Sequence, residues 1–133
     1  MQDNIIVKPS VEKQFDRFLR QGRVLFFSAP CGFGKTAVAE GLLSSREVLR
    51  LSADSADFSL PSAEADWQIL LLDDLQDMQE EQDWNALCEL IRACPERRFV
   101  LLSRGAPPGS LMVFQYTGLM TVLEADDLLF DAD

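Results

Sequence analysis

A chain of 133 residues with 47% hydrophobic and 26% charged residues has the length and composition of one globular domain that needs no disulfide bonds or structural metal ions. The 22 acidic and 12 basic side chains give a net charge of −10, which argues against direct nucleic acid contact by this segment. Three cysteines without any histidine exclude the usual zinc patterns, and every apolar run is far shorter than the roughly 18 residues of a membrane helix. We therefore expect a cytoplasmic protein that makes no membrane contact.

The first predicted elements are an extended arm and a helix within residues 1–22, with Ser10 as the helix cap and Gly22 at its end. Apolar side chains at helical spacing define the buried face of this helix: Val11, Phe15, Phe18 and Leu19. An apolar run at Val24–Ser28 then fits a buried strand. We expect this strand to begin a core over residues 23–133 that forms a single domain with the helix before it.

The strand leads into the sequence Ser-Ala-Pro-Cys-Gly-Phe-Gly-Lys-Thr, residues 28–36. In a phosphate-binding loop the backbone N–H groups point inward, Lys35 reaches the β- and γ-phosphates, and the Thr36 hydroxyl ligates Mg²⁺. The helix that begins there adds its positive end. The general pattern has glycine at the place of Ala29, a small residue that still lets the backbone turn, and the alternative is an ordinary strand-to-helix connection. The residues predicted to bind the nucleotide are Pro30, Cys31, Gly32, Phe33, Gly34, Lys35, Thr36 and Ala37.

A helix from Gly34 to about Leu43 and a short second strand at Val48–Ser52 are predicted after the loop. Residues 53–66 are rich in Ser, Ala and Asp, which predicts a surface crossover with little room for a full helix. Its length is just sufficient to connect two parallel neighbouring strands.

Paired carboxylates follow the apolar run Ile69–Leu72, which is typical of a strand covered on both faces of a parallel sheet. In a protein with a phosphate loop, the first carboxylate holds Mg²⁺ and the second can polarise the attacking water. We assign Asp73 to the metal ion and Asp74 to the water. The alternative is a turn in which Asp74 only caps a helix.

An amphipathic helix is predicted next, with Asp83 as its cap and its end before Pro95. Its buried face comprises Trp84, Leu87, Cys88 and Ile91, so Cys88 is expected in the core. Basic residues at and just after the helix end suit its negative pole, which favours a solvated cluster over a ligand patch. These residues are Arg92, Arg97 and Arg98.

The buried strand Phe99–Leu102 brings Ser103 and Arg104 to its carboxyl edge, where ligands bind in an open parallel sheet. Arg104 is therefore predicted to face the γ-phosphate, and the alternative is an ordinary surface arginine. The remaining predicted elements are a loop over residues 106–110, a helix at Leu111–Tyr116, a fifth strand at Met120–Leu123 and a continuation of that edge at Leu128–Phe130.

Three motifs together resemble the ATPase module of the MalT-like, large LuxR-type transcriptional regulators, which belong to the signal-transduction ATPases with numerous domains (STAND). The motifs are the loop at residues 28–36, Leu70-Leu71-Leu72-Asp73-Asp74 and Leu101-Leu102-Ser103-Arg104; Leu51-Ser52-Ala53-Asp54 also resembles a family sequence. The family writes its loop Ser-x-Pro-x-Gly-Phe/Tyr-Gly-Lys-Thr, which accounts for Ala29. This chain departs from the family in its short crossover, and in having Glu12 and Lys13 where the family tends to place an arginine.

The resemblance implies a three-layer α/β P-loop NTPase fold of the ASCE type, with a mostly parallel five-stranded sheet in the order 5-1-4-3-2. It implies ATP or ADP and Mg²⁺ as ligands, with Lys35, Asp74 and Arg104 in catalysis and Thr36 and Asp73 on the metal ion. The implied partners are the downstream helical, sensor and DNA-binding domains of a longer regulator, of which this chain is then a fragment. The resemblance also implies ATP-dependent self-association of the full-length protein.

The leading functional hypothesis is an ATP-binding, slowly hydrolysing switch domain of such a regulator. A second hypothesis is a non-catalytic module in which the nucleotide stabilises only the fold or an oligomer. A small-molecule kinase of the P-loop class is a third, against which stands the lack of an arginine-rich lid.

Overall fold

The computed structural model describes residues 9–20, 23–28 and 47–124, in which helices accompany a parallel sheet. The strands are β1 (Val24–Ser28), β2 (Leu49–Ser52), β3 (Ile69–Asp73), β4 (Arg98–Ser103) and β5 (Met120–Glu124). The helices are α1 (Pro9–Arg20), α2 (Glu81–Ala93) and α3 (Gly109–Tyr116), and a short 3-10 helix spans Leu75–Asp77. The predicted arm, Gly22, the helix after the phosphate loop and the continuation at Leu128–Phe130 lie outside the described residues.

The described strands form one sheet in the order β2-β3-β4-β1-β5, and every neighbouring pair is parallel. This is the expected order 5-1-4-3-2 read from the opposite edge, so the predicted α/β architecture is confirmed. Strand β4 lies between β1 and β3, where Ser103 pairs with Ser28 and Leu101 pairs with Leu72. After β1 the chain forms β2 at the edge of the sheet, then β3, and β4 takes the place between β3 and β1. Parallel neighbours of this kind are joined by crossover connections.

Both faces of the sheet are buried at its central strands β1, β3 and β4, which is why these strands are mostly apolar rather than alternating. One face packs with α2 and α3 in a single cluster that includes Val24, Phe26, Leu70, Leu72, Phe99 and Leu101. The alternate residues, which point to the other face, are buried as well: Leu25, Phe27, Leu71, Val100 and Leu102. Helix α1 packs against β1 and β5 and buries Phe15 and Phe18, as its apolar spacing predicts. The described residues thus form helical and sheet layers around one core.

Two predicted helix caps are wrong. Helix α1 already includes Ser10, because it begins at Pro9, whose fixed φ suits the first helical turn. Helix α2 begins at Glu81 with Glu80 in the cap position, so Asp83 lies inside the first turn. There Asp83 and Glu81 place negative charge at the positive end of the helix, which explains why the helix extends past the expected cap. The predicted end before Pro95 is confirmed.

The crossover over residues 53–66 contains turns and no regular helix or strand, as expected from its composition. It is anchored by Trp67, which is 6% exposed and donates its ring N–H to the carbonyl oxygen of Ser62 at 3.0 Å. The guanidinium of Arg97 lies over the Trp67 ring, 4.3 Å from the ring centre. The prediction of a solvated basic cluster is therefore wrong for Arg97. This side chain is half-buried because it packs on an aromatic face.

Across the part of the chain that the structure describes, none of the helices has the length and apolar character needed to cross a membrane.

Candidate functional site

Polar residues end neighbouring strands at one edge of the sheet. Ser28 ends β1, Asp73 ends β3 and Ser103 ends β4. All of these strands run in the same direction, so their carboxyl ends meet at the same edge, which is the usual position of a ligand in an open α/β sheet. Ser52 ends β2 at this edge as well and pairs with Asp73. The chain has therefore assembled one polar rim from four strands.

Some of the predicted site residues lie within the described ranges of the chain, and the others lie outside them. Asp73, Asp74 and Arg104 follow the adjacent strands β3 and β4, so the structure brings their backbones to the same rim. Strand β1 lies on the other side of β4, and the chain after Ser28 enters the predicted phosphate loop. The following predicted residues lie outside the described ranges: Pro30, Cys31, Gly32, Phe33, Gly34, Lys35, Thr36 and Ala37.

Asp73 is half-buried at the end of β3. Its Oδ1 accepts a hydrogen bond of 2.7 Å from the backbone N–H of Asp74. This bond fixes the orientation of the carboxylate at the end of the strand. Oxygen donors of this kind suit Mg²⁺, which is commonly held by one or two carboxylates together with substrate phosphates. Among the described residues no cluster of three or more acidic, cysteine or histidine side chains could hold a metal ion, and Thr36 is not described. Asp73 fits the metal role by its chemistry and position.

Asp74 occupies the left-handed region of backbone conformation, with φ 57° and ψ 38°. Aspartate enters this region more easily than most residues because its short side chain can bond locally. Its Oδ2 accepts a bond of 2.7 Å from the Ser52 hydroxyl, and its Oδ1 accepts one of 3.4 Å from the Gln76 side-chain N–H. Asp74 stands at the N-cap position of the 3-10 helix that follows, as the alternative expects, but its carboxylate makes no capping bond to the helix backbone.

Arg104 is exposed, and its backbone N–H donates to Oε1 of Gln76 at 3.1 Å. The next residue, Gly105, donates its N–H to the Ser103 hydroxyl oxygen at 3.1 Å and accepts a bond of 2.9 Å from the Ser28 hydroxyl. The loop after β4 is thus tied to β1 at Ser28 and to the turn after β3 at Gln76. These contacts fix the backbone from which the Arg104 side chain projects.

Gln76 is a site residue that the sequence does not single out. A glutamine two positions after a pair of aspartates carries no pattern of its own, and its partners are 2 and 28 residues away in the chain. The one available indication is that the turn after β3 and the loop after β4 lie at the same edge of the sheet. Contacts of this range depend on strand pairing, which residue spacing alone does not define.

Comparisons with known proteins bear on the fold. No family model and no curated protein matches the sequence. The solved structure of PCH-2 from C. elegans, an AAA+ ATPase, aligns with a TM-score of 0.56 and 14% sequence identity. The alignment covers 90% of this chain and 44% of that chain, so the chain spans less than half the length of this structural neighbour. At this identity the likeness concerns the fold alone, a parallel α/β sheet whose strand order is consistent with a P-loop NTPase-like fold.

Proposed function

We propose that the chain binds Mg²⁺-ATP or Mg²⁺-ADP at the carboxyl edge of β1, β3 and β4. One observation carries this proposal. Strand β4, which the arginine follows, pairs with the strand that leads into Gly-Lys-Thr, and β3, which the carboxylates follow, is the next strand along the sheet. In such a fold the phosphates lie at the end of β1, so residues after β3 and β4 are within reach of the metal ion and the terminal phosphate.

The roles follow from side-chain chemistry. Lys35 would neutralise the phosphates, while the Thr36 hydroxyl and the Asp73 carboxylate would hold the metal ion. Bound Mg²⁺ would supply positive charge that offsets the negative charge of the phosphates. Arg104 would contact the γ-phosphate, whose charge distinguishes ATP from ADP. Asp73 and Arg104 come from the ends of predicted strands, and Lys35 and Thr36 come from the start of the predicted helix after the loop.

We further propose that the chain hydrolyses ATP slowly, with the Asp74 carboxylate polarising the attacking water. Both of its carboxylate oxygens already accept hydrogen bonds, from Ser52 and from Gln76. These donors take two of the carboxylate's roughly four acceptor positions, which restricts how an attacking water can be oriented there, so we expect low turnover. The same observation favours the second candidate function, a module that binds the nucleotide without hydrolysing it. Asp74→Asn separates them: slower phosphate release with nucleotide affinity retained supports hydrolysis by this site, and unchanged release excludes it.

The finer part of the proposal is a switch domain of a cytoplasmic, MalT-like transcriptional regulator. Its support is the resemblance of the motifs at residues 28–36, 70–74 and 101–104. In that setting the nucleotide state would control contacts with the helical, sensor and DNA-binding domains and the self-association of the full-length protein. The acidic segment itself would not touch DNA, because its net charge is −10.

Nucleotide-dependent thermal stability tests the proposal. A ligand at 100 times its Kd stabilises the folded chain by about 2.7 kcal/mol. Millimolar ATP or ADP with Mg²⁺ should therefore raise the Tm of the parent by several degrees. Lys35→Ala should abolish this rise, while Lys13→Ala, which removes an exposed lysine from α1, should retain it. A parent without any rise, or a Lys35→Ala variant that responds like the parent, would exclude nucleotide binding at this loop.

A further inference from the structure

The side chain of Gln76 bridges two of the proposed site residues. Its Oε1 accepts the backbone N–H of Arg104 at 3.1 Å, and its Nε2 donates to Oδ1 of Asp74 at 3.4 Å. One primary amide thus connects the turn after β3 with the loop after β4. Each of its two ends faces a partner of the opposite hydrogen-bonding type.

The orientation of this amide follows from its partners. A carboxylate only accepts hydrogen bonds and a backbone N–H only donates them. Rotating the amide by half a turn would set its oxygen against the Asp74 carboxylate and its NH₂ group against the Arg104 N–H. The arrangement observed is therefore the one that satisfies both partners, and it requires a side chain that carries a donor and an acceptor together.

The backbone around Gln76 is held in place by packing and hydrogen bonds. Its neighbour Leu75 is fully buried, and Met78 is 6% exposed. The N–H groups of Asp77 and Met78 bond at 3.0 Å to the carbonyls of Asp74 and Leu75, respectively. The ring N–H of Trp84 donates to the Met78 carbonyl at 2.6 Å. The glutamine therefore projects from a rigid turn, and its amide can transmit a displacement between its partners.

We infer that Gln76 is a positioning residue that couples the Asp74 carboxylate to the Arg104 main chain, so that a change at the carboxylate reaches the arginine proposed to contact the γ-phosphate. The link continues beyond Arg104, because Gly105 is bonded to Ser28 at the entrance of the phosphate loop. The coupling consists of contacts within the chain itself. Its consequence for nucleotide discrimination rests on the function proposed above.

Substitutions at Gln76 can remove its two hydrogen bonds one at a time, because they differ in charge and in hydrogen-bonding groups. Gln76→Glu keeps an acceptor for the Arg104 N–H and places a negative charge against Asp74. Gln76→Lys keeps a donor for Asp74 and removes the acceptor, and Gln76→Ala removes both. Gln79 lies three positions later and is exposed, so the same substitutions there are matched controls.

Amide hydrogen exchange in the ligand-free chain tests the link directly. Losing a net hydrogen bond should speed exchange at the Arg104 N–H about fivefold in Gln76→Ala and Gln76→Lys. Gln76→Glu and the Gln79 variants should exchange at the parental rate. Asp74→Asn should change the Arg104 amide resonance in the parent and leave it unchanged in a Gln76→Ala background. Parental exchange in a folded Gln76→Ala variant, or an Asp74→Asn effect that survives in it, would overturn the inference.

Calorimetric titration with Mg²⁺-ATP and Mg²⁺-ADP tests the functional consequence. The ratio of the two Kd values should shift toward equality by about fivefold in Gln76→Ala and Gln76→Lys, as in Arg104→Ala, and stay parental in Gln79→Ala. A parental ratio in the Gln76 variants would overturn the positioning role even if the exchange result were positive. If the parent binds neither nucleotide, the proposed function fails, and the exchange experiment still decides whether Gln76 couples Asp74 to Arg104.

Discussion

The Ser52 hydroxyl donates a hydrogen bond of 2.7 Å to the Asp74 carboxylate and so joins the ends of β2 and β3. The same hydroxyl oxygen accepts the backbone N–H of Asp54 at 3.2 Å. The Asp74 carboxylate therefore has one hydrogen-bond donor at the end of β2, Ser52, and a second, Gln76, which also contacts the loop after β4. This pair of contacts defines where the proposed hydrolytic carboxylate lies.

Ser52→Ala should destabilise the chain by about 1 kcal/mol, because it removes a hydrogen bond to a charged group that is only partly buried. Urea denaturation should show a lower midpoint with an unchanged m-value. Ser55→Ala is the matched control, since Ser55 also donates to a carboxylate, that of Asp57, in an exposed turn. The two variants should differ clearly; equal midpoints would show that the Ser52 bond contributes nothing beyond a surface contact.

Substitutions at Asp74 should be ranked by their tolerance of positive φ. Asp74→Asn keeps a short polar side chain that enters the left-handed region easily, whereas Asp74→Ala must carry about 1 kcal/mol of backbone strain. Asp74→Gly relieves that strain while removing the carboxylate. Thermal denaturation should therefore place the alanine variant below both the asparagine and the glycine variants. An alanine variant as stable as the glycine variant would contradict the backbone argument.

Arg23, at the entrance to β1, closes the end of helix α2. Its guanidinium donates to the carbonyl oxygens of Ile91 and Cys94, and to that of Arg97 at 3.3 Å. Arg23→Met keeps the aliphatic bulk but leaves these carbonyls without their donor, so the free energy of unfolding should fall by about 2 kcal/mol. Arg17→Met, on the exposed face of α1, should change it little. Equal losses in the two variants would rule out a capping role.

The Cys88 thiol should make the free energy of unfolding fall at alkaline pH. Burial raises its pKa, while nearby Arg92 and a hydrogen bond with the Ser110 side chain oppose the rise in part. Because the folded chain holds the proton more tightly, the stabilisation is complete below about pH 8.5, the ordinary thiol value, and is lost as the pH rises through the folded value. Cys88→Ser should remove this part of the alkaline decline. Parallel curves for the parent and the variant would contradict the prediction.

Alkylation rates should distinguish the cysteines. Cys88 is 3% exposed and disfavours the thiolate, so it should react slowly with iodoacetamide. Cys31 lies in the predicted phosphate loop near a helix start, which favours thiolate formation, and it should react faster and be protected by nucleotide. Mass spectrometry of partially labelled chains measures both rates. Equal rates, or no protection at Cys31, would refute this prediction.

The pattern of the sequence predicts the strands well and the helix starts less well. Continuous apolar runs place β1, β3 and β4 within about one residue at each end, because the middle of a strand buried on both faces is apolar and polar residues come only at its ends. The caps at Ser10 and Asp83 are wrong because a polar residue suited to a cap is also tolerated within the first turn of a helix. Helix starts are settled by which residues reach the core, as Trp84 and Leu87 do in α2.

By itself, the sequence determined that Asp73, Asp74 and Arg104 follow buried strands, since chain direction alone brings polar residues after parallel strands to one edge. Only the tertiary structure decided how they are held there. The positive φ of Asp74 and its bonds to Ser52 and Gln76 depend on the pairing of β2, β3 and β4, as does the place of Arg97 on Trp67. Residue spacing encodes local periodicity, whereas these contacts arise from the register between segments that are distant in the chain.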